Sequence, residues 1–301
     1  PQGWTSSPAM ADFATLRDGD EKNIVFRVHP ASVQAKPYTI TAVAEYGGEK
    51  FTQGFITVGY TGRRPYPYYR PATYRTTGVD VKTAPGLKVG YVMGTGDDVP
   101  RSLEDLGVHV SFLSSQDIAT ANLSQYSAII LGIRAYAARP ELHTFNTRLL
   151  DYAKNGGTLI VQYQTPEFDH DYGPYPLKLS SDPEKVIEED NKVQILAPND
   201  PLFNWPNKIT TADFDKWVEE RGHGFIREWD PRYIALTEMH DTDQAPQKGG
   251  LLYARYGKGT YIYMAYAFFR QMPDGVPGSF RIMANLISAG KNPGLSTARS
   301  H

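Results

Sequence analysis

The chain of 301 residues contains no cysteine, which rules out a thiol nucleophile, a disulfide and a thiolate ligand for zinc. The compartment stays open, since an exported protein need not carry disulfides. No apolar run approaches the ~20 residues of a membrane helix, so no membrane span is expected. An excess of one charge is missing as well. Lys plus Arg number 31 against 33 for Asp plus Glu, a net charge of −2. A nucleic-acid or membrane-surface binder would need a basic excess, and none is present. There is no initiator Met and no signal peptide at Pro1-Gln-Gly-Trp4. The opening reads like the middle of a β-domain, so a fragment of a longer protein is expected.

What is present suffices for a core: hydrophobic residues make up 41% and charged residues 21%, ordinary for a globular chain. The length suits two domains. The oddity is 20 Tyr and 4 Trp. Residues 1–60 are β-like, with alternation at 24–28, 38–44 and 51–58 and a hairpin turn at Gly47-Gly48. This is the pattern of half-buried strands in a sandwich, here incomplete. Residues 60–75 then carry five Tyr, four Arg, three Pro and no acid. Proline fixes φ and withholds a donor, so 61–86 reads as an extended linker. Its Tyr faces and Arg forks suit sugar stacking or an acidic partner, and suit equally a seam between domains.

From 87 to 291 the rhythm is strand, helix, strand. The run 87–93 enters a turn at Gly94 and Gly96, and Asp97 or Asp98 is placed to cap a short helix containing Pro100. Residues 108–112, 127–132 and 158–163 read as further strands. Pro140 opens a helix whose Leu142, Phe145, Leu149 and Ala153 share one face. Residues 251–256 and 260–266 form a hairpin around Gly257-Lys-Gly259. The region 164–210 is a Pro-rich excursion, of the kind that acts as a lid or binding loop. A helix is expected from Thr211 through Val218, and another capped by Ser279. Residues 292–301 are left as a tail. The expected class is α/β: a flavodoxin-like parallel sheet carrying an antiparallel hairpin, behind a small all-β segment.

In such sheets ligands collect at the carboxyl ends of the strands. That edge gathers Asp97, Asp98, Arg134, Tyr136, Gln164 and Arg270, which are the candidate ligand-binding residues. Acids beside an Arg would orient a sugar's hydroxyls or a zwitterion. The plainer alternative has the acids capping the helix and pairing internally with Arg134. Glu167-Phe-Asp-His-Asp171 packs metal-type donors together, but adjacent residues in an extended loop seldom converge on one ion, so no metal site is assigned. Asp213 and Asp215 fit a helix start. His223, between Gly222 and Gly224, is placed to serve as a base, with no partner legible among the seven His.

Several segments carry a family resemblance: Gly90-Tyr-Val-Met-Gly-Thr-Gly-Asp-Asp-Val-Pro100, Gly132-Ile-Arg-Ala-Tyr136, Asn155-Gly-Gly-Thr-Leu159, Gly173-Pro-Tyr-Pro-Leu-Lys-Leu179 and Ala267-Phe-Phe-Arg-Gln271. Through them, residues 87–290 resemble the region behind the catalytic domain of large bacterial LmbE-like (PIG-L family) deacetylases. The same region is similar in fold to class I glutamine amidotransferase-like (ThuA-like) domains, and residues 1–60 resemble an Ig-like sandwich. The resemblance implies an upstream zinc deacetylase domain as partner, a glycan as a possible ligand, and a periplasmic or extracellular location. It implies no cofactor for this stretch, since zinc belongs to the catalytic domain. That domain's His-Pro-Asp-Asp type motif is missing here, where His29-Pro30 is followed by Ala31-Ser32. Amidotransferase chemistry needs a Cys on a strand-to-helix elbow, expected here at Tyr163-Gln164-Thr165, and none is present. The expected role is a non-catalytic accessory region. The alternatives are a hydrolase using Asp97 or Asp98 with His170, and a purely structural or oligomerising module.

Overall fold

The apolar runs at 128–131 and 159–161 have no polar face, so they need cover on both sides, as central parallel strands do. They take that place. The computed structural model describes every residue except 15, 16, 18, 169–171, 180–184 and 297–301. Its chain divides into two units, Pro1–Asp80 and Val81–His301.

In the second unit, β1 (Lys88–Val92), α1 (Val99–Asp105), β2 (His109–Phe112), α2 (Ser115–Thr120), β3 (Ala128–Leu131), α3 (Ala135–Ala138), α4 (Glu141–Lys154) and β4 (Thr158–Gln162) follow in order. Inside the Pro-rich excursion lies α5 (Pro201–Asn204), and after it come β5 (Ile234–Ala235), β6 (Leu251–Tyr256), β7 (Gly259–Met264), α6 (Phe268–Gln271) and α7 (Pro277–Ile287). One seven-stranded sheet holds them in the order β2-β1-β3-β4-β7-β6-β5. The first five strands are mutually parallel, and the β6–β7 hairpin and β5 are antiparallel. The architecture is therefore mixed α/β with a mostly parallel sheet.

Every residue of β3, β4 and β7 is buried. Each large aliphatic side chain there contributes about 1.5–3 kcal/mol by leaving water. Tyr91, Tyr261, Tyr263 and Tyr266 complete the core. Helix α4 packs on β4 and β7 and buries Leu142, Leu149 and Ala153.

Several expectations are corrected. Only Thr211–Phe214 is helical in the 211–222 stretch, because Lys216 and Glu219 turn to φ of 59° and 57°. Helix α7 starts at Pro277 with Val276 as its cap, and the Ser279 hydroxyl donates back to Val276 O at 2.7 Å. The described part of the tail is packed rather than loose: Leu295 is buried and Pro293–Ser296 is helical.

The first unit differs most from expectation. Its strands form four antiparallel ribbons: Thr5–Ser7 with Arg27–His29, Pro37–Thr41 with Thr73–Thr77, Ala44–Tyr46 with Glu49–Phe51, and Gln53–Val58 with Tyr66–Pro71. The supposed linker thus supplies two strands. Proline's φ lies within the β region, and on an edge strand its missing N–H is not needed. A sandwich would bury a shared core between two sheets. Here the described strands pair only two at a time, and no hydrophobic side chain among the described residues of this unit is buried.

Candidate functional site

The chain runs from β1 outward to β2 and then returns to β3 on β1's other side, so the sheet changes direction between β1 and β3. Ligands in open α/β sheets bind outside the strand carboxyl ends at such a point. Here the two turns close on each other. Thr95 N donates to Ile133 O at 3.1 Å and Gly132 N to Val92 O at 2.8 Å. Gly94 permits this approach, since a Cβ there would lie 1.9 Å from Ile133 O.

Asp97 faces this seam from inside. Its Oδ1 accepts from the Tyr91 hydroxyl at 2.6 Å and from Val99 N at 3.1 Å, and Gln162 Nε2 donates to the same hydroxyl at 2.7 Å. Asp97 Oδ2 is buried with no well-formed hydrogen bond. Burial raises the Asp97 carboxyl above its ordinary value, against the opposing pull of Tyr91 and the backbone of Val99 and Ile133. The Tyr91 phenol is pushed up by its own burial and by Asp97. The alternative pairing of Asp97 or Asp98 with Arg134 is not seen among the described residues, and Asp97 Oδ1 is bonded to Tyr91 instead. Asp98 is exposed and its side chain makes no capping bond.

Gln164 and Tyr136 turn into the protein. Gln164 Oε1 accepts from Tyr136 N at 3.1 Å, and its Nε2 donates to Gly132 O at 3.1 Å and Gln162 O at 2.9 Å. The Tyr136 ring is buried, stacked on Tyr172 at 4.9 Å and edge-on to Phe168 at 5.1 Å, and its hydroxyl reaches Asn146 Oδ1 at 2.5 Å.

Arg134 is different. It caps α3 in the left-handed region, at φ 52° and ψ 33°, held by its N–H to Tyr163 O at 2.8 Å. None of residues 163–165, where a strand-to-helix elbow is expected, has positive φ, whereas Arg134 does. A residue on such a turn is thrown outward over the strand ends. The Arg134 side chain is exposed and makes no ion pair or hydrogen bond among the described residues.

Tyr163, just past β4, sits within electrostatic reach of Arg134, Glu167 and Glu220. Its ring lies 5.4 Å from that of His223 and stacks on Phe269 at 6.4 Å. Arg270 Nε meets Glu220 Oε1 at 2.7 Å, and its guanidinium also reaches Glu219. Glu220 bonds the His223 ring through Nε2 as well. Burial would raise the Glu220 carboxyl, but the bonds from His223 and Arg270 outweigh it and hold it below its ordinary value. Sequence reasoning missed Tyr163, Glu220, Phe269 and the partner of His223. The signal was present in Glu220-Arg-Gly-His-Gly224. Gly224 takes φ 68° where a Cβ would lie 2.6 Å from Gln164 O, and so lays the segment against β4.

No protein-family model matches the chain, and no curated protein matches it. Solved structures do. It is similar to a cytoplasmic protein of Salmonella typhimurium at 11% identity, covering 84% of this chain and 95% of that one, with a TM-score of 0.46. It is similar to a glutamine amidotransferase of Thermotoga maritima at 9% identity, covering 69% and 98%, with a TM-score of 0.40. A β-galactosidase of Rahnella sp. R3 matches at 14% identity, covering 72% and 32%, with a TM-score of 0.43.

Among the described residues no group of His, Cys, Asp and Glu is placed to hold a metal ion, and no helix is long and apolar enough to cross a membrane. In the 167–171 motif, Asp169, His170 and Asp171 lie outside the described residues, which also puts the His170 of the hydrolase alternative out of view. At the opposite, amino-terminal edge of the sheet a cavity of about 610 Å³ is lined by Asn122, Tyr126, Arg148, Asn155 and Lys291. Its cations are occupied with main-chain carbonyls: Arg148 Nε donates to Ile118 O at 2.8 Å, and Lys291 to Pro85 O.

Proposed function

We propose that this chain is a non-catalytic accessory region of an LmbE-like amino-sugar deacetylase, and that it binds a glycan at the carboxyl edge of its sheet. The observation that carries the reading is Arg134: an exposed guanidinium on a left-handed turn at the strand ends, with no ion pair or hydrogen bond among the described residues, beside the half-exposed ring of Tyr163. An arginine fork and an aromatic face suit hydroxyl-rich or anionic sugars, and neither is a nucleophile. Asp97, Tyr136, Gln164 and Arg270 support the platform through internal bonds. The alternative hydrolase gains nothing from Asp97, whose carboxylate is turned to Tyr91.

A thermal-shift panel of amino sugars, acetylated oligosaccharides and divalent metals tests this. A ligand at a hundred times its Kd stabilises the fold by about 2.7 kcal/mol. An acetylated sugar should raise the melting point of the native chain and leave that of Arg134→Ala unmoved. A flat response, or a shift that persists in Arg134→Ala, overturns the reading.

A further inference from the structure

The ribbon Gln53–Val58 with Tyr66–Pro71 presents a second surface, on the first unit and independent of Arg134. Its register opposes Tyr66 to Val58, Tyr68 to Ile56 and Arg70 to Gly54. Residues two apart on a strand share a face, so Tyr66, Tyr68 and Arg70 form one row over Ile56 and Val58. The row faces solvent, with Tyr66 at 68% and Tyr68 at 54% exposure. Gly54 opposite Arg70 has open space where a Cβ would stand, so a guanidinium can lie across the strand. The other face carries Phe55 and Tyr69, exposed, with rings 5.7 Å apart.

Charge identifies the partner. From Phe51 to Val79 there is no Asp or Glu, while Arg63, Arg64, Arg70 and Arg75 all fall within that span. None of these arginines forms an ion pair among the described residues. An unneutralised basic strip with exposed phenols fits an anionic, hydroxyl-rich polymer: ring faces stack on sugar rings, phenol hydroxyls meet sugar hydroxyls, and Arg forks clamp carboxylate or sulfate. A peptide adding as a strand would need main-chain donors along the edge. Pro67 and Pro71 remove two of them from the Tyr66–Pro71 strand.

We infer that this ribbon is a docking surface for an acidic polysaccharide. The intact chain is titrated with polygalacturonate, with dextran as the neutral polymer and with oligo(dT) and polyglutamate as competing polyanions. Polygalacturonate binds and weakens as salt is raised, and dextran binds at least tenfold more weakly. Arg70→Gln and Tyr68→Ala each lower affinity about tenfold, the loss of one charge-assisted fork or one stacked ring. Arg70→Lys keeps the charge without the fork and recovers only part, which guards against loss by misfolding. Unchanged affinity in Arg70→Gln and Tyr68→Ala refutes the inference, as does equal binding of dextran. Tighter binding of oligo(dT) or polyglutamate also refutes it and reassigns the strip to nucleic acid or to an acidic peptide.

Discussion

Replacing Gln164 by leucine separates a residue that holds the strand ends together from one that faces a ligand. The side chain is fully buried and bonds three main-chain groups at once: Tyr136 N, Gly132 O and Gln162 O. Leucine keeps the volume and removes every bond. The Tyr136 amide, near the start of a one-turn helix, then has no acceptor, at a cost of about 1–3 kcal/mol, and each carbonyl loses a bond worth about 0.5–1.5 kcal/mol. The sum is about 2–6 kcal/mol, a large share of the ~5–15 kcal/mol that stabilises a typical domain. Urea denaturation followed by tryptophan fluorescence reads it directly. Gln164→Glu adds a pH signature, because one carboxylate oxygen would face two carbonyl oxygens. Its folded-state pKa would rise, the native state would hold the proton more tightly than the unfolded chain, and stability would fall as pH rises past about 4.3. A Gln164→Leu loss below about 1 kcal/mol, or a Gln164→Glu variant with the wild-type pH profile, would show that the bracket does not hold the elbow.

Three further outcomes are expected. Gly94→Ala forces a Cβ against Ile133 O and should lower stability by about 1–3 kcal/mol or more; a melting point within error of wild type would mean the two turns part freely. Asp97 has a raised folded-state carboxyl, so native binds more protons than unfolded and its contribution falls as pH climbs from about 3.9. Relative to wild type, Asp97→Asn should therefore become progressively more stable from acid toward neutral pH, and a difference independent of pH would contradict the assignment. Arg134→Gly relieves a left-handed side chain and should stabilise by about 1 kcal/mol, while abolishing the sugar-dependent thermal shift; a loss of stability would mean that the guanidinium has a structural partner.

The sheet was legible because burial on both faces leaves a mark in the sequence. The runs of β1, β3 and β4, the α4 stripe ending in Asn155-Gly156-Gly157, and the hairpin around Gly257-Lys-Gly259 all fall where expected. The polar residues at the strand ends were harder. A glutamine after a strand looks the same whether it faces solvent or brackets the backbone, and only the fold decides that Gln164 meets Tyr136 N. Glu220 and His223 reach the site from the stretch between the long excursion and β5, where no period places them at the strand ends. The proline rule misled at 66–77, where prolines on an edge strand remove only outward-facing donors, so strands were read as a linker. Tyrosine count alone was ambiguous too. Tyr261 and Tyr263 build the core of one unit, while Tyr66 and Tyr68 stand in solvent on the other.

The elbow draws these strands together. A non-glycine residue in the left-handed region costs roughly 1–2 kcal/mol, and such strain persists only where the surroundings over-determine it. Around Arg134 they do. Its N–H is bound by Tyr163 O, its carbonyl accepts from Ala138 N at 3.0 Å, and the carbonyl before it is held by Thr95 N. Gln164 ties both flanking turns together. Glycine or asparagine would sit there with less strain, so local stability does not explain the arginine. The turn carries whatever side chain it holds out over the strand ends, and in this chain it holds a permanent cation beside Tyr163 while the neighbouring polar groups are bonded inward. A guanidinium carried at a strained position, with no ion pair or hydrogen bond among the described residues, can donate to an anionic or hydroxyl-rich group but has no lone pair with which to attack one.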